Sequence, residues 1–293
     1  MWFNNALVFD LTFKEPVDVN ALLAEHRLKA CPPHTRFSYG WVPPFPDGEL
    51  AHDISGSTLI CLGKEERILP KSVIKQVAND RVREKELQDN RSLKKSEKAK
   101  MHEDIEFELL PKAFCAQKRW TALIDTKDNR LIVNTSSISQ ADQVTALLRK
   151  AIPGISIDPW FSEINLCQKF LNFITNPETM PSGFTLASDC HLISPDDEKK
   201  KIQCKGYELP ADEVLSLLEQ GMHPTELSFI WQERLQFTFT NQLVLKRIKC
   251  LDYLIDEFSE IGKLEEQIEQ QDAALTLLSG ELRGLVTALN AHV

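Results

Sequence analysis

Residues 231–250 read WQERLQFTFTNQLVLKRIKC, and their alternation is the clearest structural signal in the 293-residue chain. Arg234, Gln236, Thr238 and Thr240 form one series, and Leu235, Phe237 and Phe239 form the other. A period of two in aromatic and β-branched residues predicts a strand with one buried face. Asn241-Gln242 then predicts a two-residue hairpin turn into a second strand, Leu243 to Lys249. In that register Phe239 faces Val244 and Leu235 faces Ile248, while on the other face Gln236 meets Arg247 and Arg234 meets Lys249. Like charges directly opposite destabilise a ladder, and an anionic ligand such as a phosphate backbone would relieve them. A turn longer by one residue would instead flip the register and disperse the basic cluster.

Downstream, the chain predicts one long helix over 251–290. Leu264, Ile268, Gln271, Leu275, Leu278, Leu282, Leu285 and Leu289 recur at alternating spacings of four and three, a heptad seam broken only by Gln271. Such a seam either packs on the chain's own sheet or forms a dimer contact, with Leu275, Leu278, Leu282 and Leu285 at its centre. Gly280 and Gly284 each cost a helix about 1 kcal/mol relative to alanine, which close helix approach would offset.

Upstream, strands are expected at 6–13, at 58–62 and 66–69 around Gly63, at 120–125 and 130–135, and near 183–193, 200–207 and 225–249. Helices are expected near 17–28, 139–151 and 211–220. Gly40-Trp41-Val42-Pro43-Pro44-Phe45-Pro46 is incompatible with a helix. Residues 71–110 predict two charged helices that project as a finger, with a break and new N-cap near Asn90 and Ser92. Residues 194–201 read as a polar loop. Mixed strand and helix order predicts an α+β fold, with an N-terminal unit over 1–155 that carries the finger and a C-terminal unit over 156–293.

The charge is unevenly placed. The chain carries −9 overall, yet residues 67–100 hold eleven basic and five acidic side chains, whereas 250–293 hold two basic and nine acidic ones. Segregation of this kind gives an acidic protein a positive stripe, although a solvated helix with internal ion pairs has the same composition. With 42% hydrophobic and 26% charged residues the composition is that of a globular protein. No stretch reaches the roughly 18 apolar residues of a membrane span. The first residues, Met1-Trp2-Phe3-Asn4-Asn5, lack a basic n-region, so a cytoplasmic protein is expected. The seven cysteines show no paired metal-ligand spacing and read mostly as buried free thiols. No P-loop, dinucleotide fingerprint, zinc-protease motif or nucleophile elbow is present. Neither a catalytic nor a metal-binding residue is assigned, no cofactor is implied, and the expectation is that the protein is not an enzyme.

An ordered series of local motifs resembles the RdgC family. It comprises Gly40-Trp41-Val42-Pro43-Pro44, Lys64-Glu65-Glu66-Arg67-Ile68-Leu69-Pro70 with Val73-Ile74-Lys75-Gln76, and Leu93-Lys94-Lys95-Ser96-Glu97-Lys98. Leu109-Leu110-Pro111-Lys112-Ala113-Phe114, Ile124-Asp125-Thr126 and Ala146-Leu147-Leu148-Arg149-Lys150 follow. Trp231-Gln232-Glu233-Arg234-Leu235-Gln236-Phe237, Leu245-Lys246-Arg247-Ile248-Lys249 and Gly280-Glu281-Leu282 complete it. The resemblance implies a nucleoid-associated, non-enzymatic protein whose horseshoe-shaped subunits pair into a ring. The homodimer would encircle single- or double-stranded DNA without sequence preference and limit the access of the RecA recombinase. The basic candidates for DNA contact are Arg234, Arg247 and Lys249 from the sheet and Lys94, Lys95 and Lys98 from the finger, then Lys71, Lys75, Lys118 and Arg119. Phe114 and the terminal seam are the candidates for the two subunit contacts. Two rival readings are an acidic protein–protein adaptor acting through the C-terminal helix and a metal-dependent nuclease, which would need a carboxylate cluster.

Overall fold

The computed structural model describes residues 2–46, 48–54, 56–161, 164–197 and 199–292. In chain order the first part comprises β1 (Ala6–Thr12), α1 (Val19–Ala24), β2 (Phe37–Val42), β3 (Ala51–Ile54), β4 (Ser57–Arg67), α2 (Lys71–Gln88), α3 (Lys95–Leu109), β5 (Cys115–Asp125), β6 (Arg130–Val133), α4 (Ile138–Ala151) and β7 (Ser156–Pro159). There follow α5 (Leu166–Thr175), β8 (Phe184–Ile193), β9 (Lys201–Cys204), α6 (Asp212–Glu219), β10 (His223–Trp231), β11 (Leu235–Thr240), β12 (Val244–Cys250), α7 (Asp252–Ile261) and α8 (Gln267–His292).

The fold is α+β. Its strands form one antiparallel sheet in the order β2-β4-β5-β6-β1-β12-β11-β10-β8-β9, with β3 on β4 and β7 on β1. First and last strands meet at the middle, where Ala6 faces Leu245 and Leu7 faces Val244. Alternation sends Ala6 and Leu245 into one core and Leu7 and Val244 into another on the opposite face. The first core extends under both halves of the sheet and is closed by residues of α5, α6, α7 and α8. The second lies under the N-terminal half, with Val244 of β12 at its margin, and is closed by α1 and α4. One face of β8–β12 is therefore left without a helical layer.

Several expected boundaries move, each for a local reason. The strand expected to break at Gly63 runs through it, because Gly63 is paired on both sides, with Gly40 and Arg119, and a Cβ there would stand only 2.9 Å from Val42 Cγ1. The finger is present as α2 and α3, which close on Ile74, Ala78 and Ile105. Its turn uses Asn90 at φ 50°, but the second helix starts at Lys95 rather than at Ser92. Glu97 makes that start by accepting from the Lys94 N–H at 2.7 Å. The single helix expected over 251–290 is two, α7 and α8, with Leu264 between them.

Helix α8 buries Leu275, Leu278, Leu282 and Leu285, each at most 2% exposed, in the first core. These leucines are therefore not a dimer contact: the seam packs on the chain's own sheet, each leucine contributing on the order of 2 kcal/mol. Ile268 stays exposed at the start of the helix. The two glycines of the helix part company. A Cβ on Gly284 would stand 2.9 Å from the Trp231 ring, whereas one on Gly280 meets nothing within 4 Å. Gly280→Ala is expected to raise unfolding free energy by about 1 kcal/mol in urea titrations. Gly284→Ala should bring no such gain, because the Trp231 ring must give way. Equal gains at both positions would contradict this packing.

Candidate nucleic-acid interface

The β11–β12 hairpin differs from the expected register in two places. Thr240 Oγ1 accepts from the Gln242 and Val244 N–H groups, and Leu243 takes φ 61°, so the loop is longer by one residue than a two-residue turn. Phe239 then faces Leu245 rather than Val244. Farther along, a bulge at Arg247 (φ 54°) shifts the ladder again, so Gln236 faces Lys249 and Leu235 faces Cys250. The bulge is held from the N-terminal segment: Arg247 N–H donates to Asn5 Oδ1 at 3.2 Å and Ile248 N–H to Asn4 O at 2.8 Å. Its effect is to keep Leu245 and Ile248, three residues apart, in the same core. Lys246 and Lys249 thereby share the uncovered face.

On that face Lys246 Nζ sits 2.8 Å from Glu226 Oε1, and Arg247 Nη2 donates to Thr238 Oγ1 at 3.0 Å. Ser228 and Thr238, bonded to each other at 2.7 Å, are buried beneath these longer side chains. Lys249 is exposed with no ion-pair partner among the described residues. His191 faces Glu226 in the ladder, and Gln203 of β9 faces His191. Cys204 points into the core, so alternation puts Lys201 and Gln203 on the His191 face, and Lys205, just past the end of β9, lies close enough to act on the His191 imidazole. Burial holds the His191 imidazole below its ordinary pKa, against the pull of Glu226 and helped by Arg247, Lys246 and Lys205. Lys201 and Lys205 fall in the strand expected near 200–207, but neither is among the DNA candidates read from the sequence. The inward Cys204 between Gln203 and Lys205 was the signal that could have found them.

Arg234 is not on this surface, and its assignment to DNA is corrected. It closes a tight turn in which Gln232 and Glu233 both take positive φ, so the alternation of β11 does not reach it. Its guanidinium donates to Glu281 of α8 at 2.6 and 2.8 Å and to Glu257 of α7 at 2.7 and 3.1 Å. Two internal carboxylates thus satisfy it. Lys118 and Arg119, adjacent in β5, point to opposite faces. Lys118 pairs with Glu66 at 3.2 Å, while Arg119 donates to the carbonyls of Pro43 and Pro44.

In the finger, Lys98 pairs with Glu86 at 3.0 Å, Arg91 with Glu97 at 2.7 Å and Arg81 with Glu108 at 2.7 Å. Arg67 donates to the carbonyls of Cys31, Pro32, Leu110, Pro111 and Ala113, pinning the finger's base. Lys71, Lys75, Lys94 and Lys95 are exposed, with no ion-pair partner among the described residues. Both readings of the charged stretch therefore hold in part: some cations stitch the helices and others are free. Phe114, at the finger's base, is 85% exposed.

The cysteines are all free; Cys31, Cys61, Cys190 and Cys204 are buried, while Cys115 is exposed. Burial, with Cys204 beside it, pushes the Cys190 thiol up to about 12. Among the described residues no group of three or more His, Cys, Asp or Glu could hold a metal ion, and no helix is long and apolar enough to cross a membrane.

A family model described as "Putative exonuclease, RdgC" matches residues 1–293. The chain belongs to the RdgC family. The recombination-associated protein RdgC of Pseudoalteromonas translucida is 34% identical, with 99% of this chain and 96% of the relative covered. That of Proteus mirabilis is 33% identical over 98% and 96%, and that of Yersinia pestis (strain Pestoides F) 32% identical over 99% and 96%. The RdgC relatives are thus named for recombination, whereas the family description names an exonuclease.

Two outcomes follow from the ion pairs. Arg234→Ala strands the half-buried Glu281 and should lower unfolding free energy by about 2 kcal/mol or more. Lys249→Ala should change it by no more than about 0.5 kcal/mol, and equal stabilities would contradict the double clasp. The Arg91 guanidinium, then the Lys94 N–H, lower the Glu97 carboxyl from 4.5 to about 2. A depressed carboxyl supports the helix start above its ordinary value and loses that support as pH falls toward 2. The Lys94 amide resonance should titrate near the lower value, and a midpoint near 4.5 would show the cap open in solution.

Proposed function

We propose that this RdgC-family chain is a DNA-binding protein that acts in recombination by encirclement rather than by chemistry. The observation that carries the reading is the uncovered face of β8–β12. There Lys201, Lys205, Lys246, Arg247 and Lys249 gather on a protein of net charge −9, with Glu226 among them. A cationic surface on an acidic body attracts phosphates to one place and repels them elsewhere. Backbone contacts by lysine and arginine carry no base sequence, so single- and double-stranded DNA would both bind. Lys71, Lys75, Lys94 and Lys95 extend the positive field along the finger; Lys98, held by Glu86, adds little. Lys118 is a lesser candidate, and Arg119 is spent on carbonyls.

Encirclement needs a homodimer with two self-contacts. The exposed ring of Phe114 is the candidate for one. With the leucines of α8 buried, the second falls to the apolar side chains still exposed on α7 and near the start of α8: Tyr253, Ile255, Leu264 and Ile268. A closed ring on DNA, in the nucleoid, would exclude RecA without touching it.

Binding to unrelated single- and double-stranded DNA across a salt series tests the reading. Log affinity should fall linearly with log salt for both, and Arg247→Glu with Lys249→Glu should weaken binding at least tenfold and flatten the slope by about 2. Unchanged binding by the double variant would overturn the assignment of this face. Phe114→Ala should shift the mass in solution toward the monomer. Magnesium-dependent release of nucleotides from DNA would favour instead the exonuclease reading that the family description names.

A further inference from the structure

A second surface combines rings with cations, at the base of the finger. Strand β2 is the edge of the sheet, and its Phe37 and Tyr39 point to one face. In the ladder Tyr39 faces Lys64, Lys64 faces Lys118, and Leu62 faces Trp120. Lys64, Lys118 and Trp120 thus share the face of Phe37 and Tyr39. The rings form a row: centroids of Phe37 and Tyr39 lie 5.4 Å apart, and those of Tyr39 and Trp120 lie 6.4 Å apart at 36°.

Packing does not account for the outer end of that row. Tyr39 and Trp120 rest on the second core, but Phe37 lies outside it and is 49% exposed. Its inner neighbour is Lys64, whose ammonium lies 4.7 Å from the Phe37 centroid and 5.7 Å from that of Tyr39. Lys64 is itself only 14% exposed, whereas Phe37 keeps about half of its surface open to solvent. Glu66 takes Lys64 at 3.0 Å and Lys118 at 3.2 Å, one carboxylate against two ammonium groups. The surface therefore offers one exposed ring, with two partly buried rings behind it, beside a net positive charge.

We propose that Phe37, Tyr39 and Trp120 form a stacking subsite for the unpaired bases of single-stranded nucleic acid, with Lys118 taking an adjoining phosphate. Every base has a π face, so stacking tolerates any sequence, and a cation beside the rings tracks the backbone. In a duplex the base faces are covered by their neighbours, so the subsite is closed to it. The two basic surfaces then differ in task. The face of β8–β12 reads phosphates in either form of DNA, and the edge at β2 distinguishes unpaired strands.

This inference rests on the DNA-binding reading, and the test separates the two. Affinities of Phe37→Ala and Phe37→Leu for oligothymidylate and for a duplex of equal length are compared with those of the unaltered protein. Phe37 lies outside the cores, and the leucine variant keeps apolar bulk while removing the π face. Both variants should bind oligothymidylate about 10-fold more weakly and the duplex unchanged. Quenching of tryptophan fluorescence by oligothymidylate should shrink in Trp120→Phe. Unchanged oligothymidylate binding by both Phe37 variants, or equal loss on single strand and duplex, would overturn the subsite while leaving the DNA-binding reading intact. Absence of binding to either DNA by the unaltered protein would overturn both.

Discussion

Helix α8 crosses the sheet where its two halves join, and the leucines it buries there commit one whole face to the interior. Polar clasps fix its position on both sides. Arg283 donates to the buried Asp125 at 2.6 and 2.8 Å and to Ser57 at 3.0 Å, tying the helix to β4 and β5. His52 of β3 meets Asp272 at 2.8 Å, and Arg234 reaches Glu281 from the β10–β11 turn. The aromatic side of β10 and β11 packs against this layer, with Trp231 seated over Gly284. Outside the bulges of β8–β12, the outward residues follow from that commitment by alternation.

The proposed function rests on an asymmetry of coverage. The N-terminal half of the sheet is closed on both faces, by α1 and α4 on one side and α8 on the other. The C-terminal half is closed on one face only. On the open face the small buried hydroxyls of Ser228 and Thr238 form a floor, and long cationic side chains lie above it. Glu226 holds Lys246 in place, while Lys249 has no ion-pair partner among the described residues. Burial of His191 lowers its imidazole pKa, helped by Arg247, Lys246 and Lys205, which disfavours a further positive charge on this face.

The sequence showed what depends on neighbours and hid what depends on distant partners. The alternation of Leu235, Phe237 and Phe239 is a local property, and all three are core residues. The bulge at Arg247 was illegible because Asn4 and Asn5, at the far end of the chain, hold it. The loop was one residue longer than expected because Leu243 accepts a left-handed conformation that its side chain gives no reason to anticipate. Arg234 looked available because its carboxylates stand 23 and 47 positions away. The heptad seam of α8 was visible as a seam, but periodicity does not say what covers it. The charged finger was legible in outline, but which of its cations are paired depends on where Glu86 and Glu97 stand.

Lysine acetylation read by mass spectrometry, with and without DNA, reports directly which face of the sheet the proposed DNA contact uses. DNA should shield Lys201, Lys205, Lys246 and Lys249 and leave Lys169 and Lys263, on the helical layer, as reactive as before. Shielding of Lys169 and Lys263 with no change at Lys246 and Lys249 would place DNA on the opposite face and contradict the account.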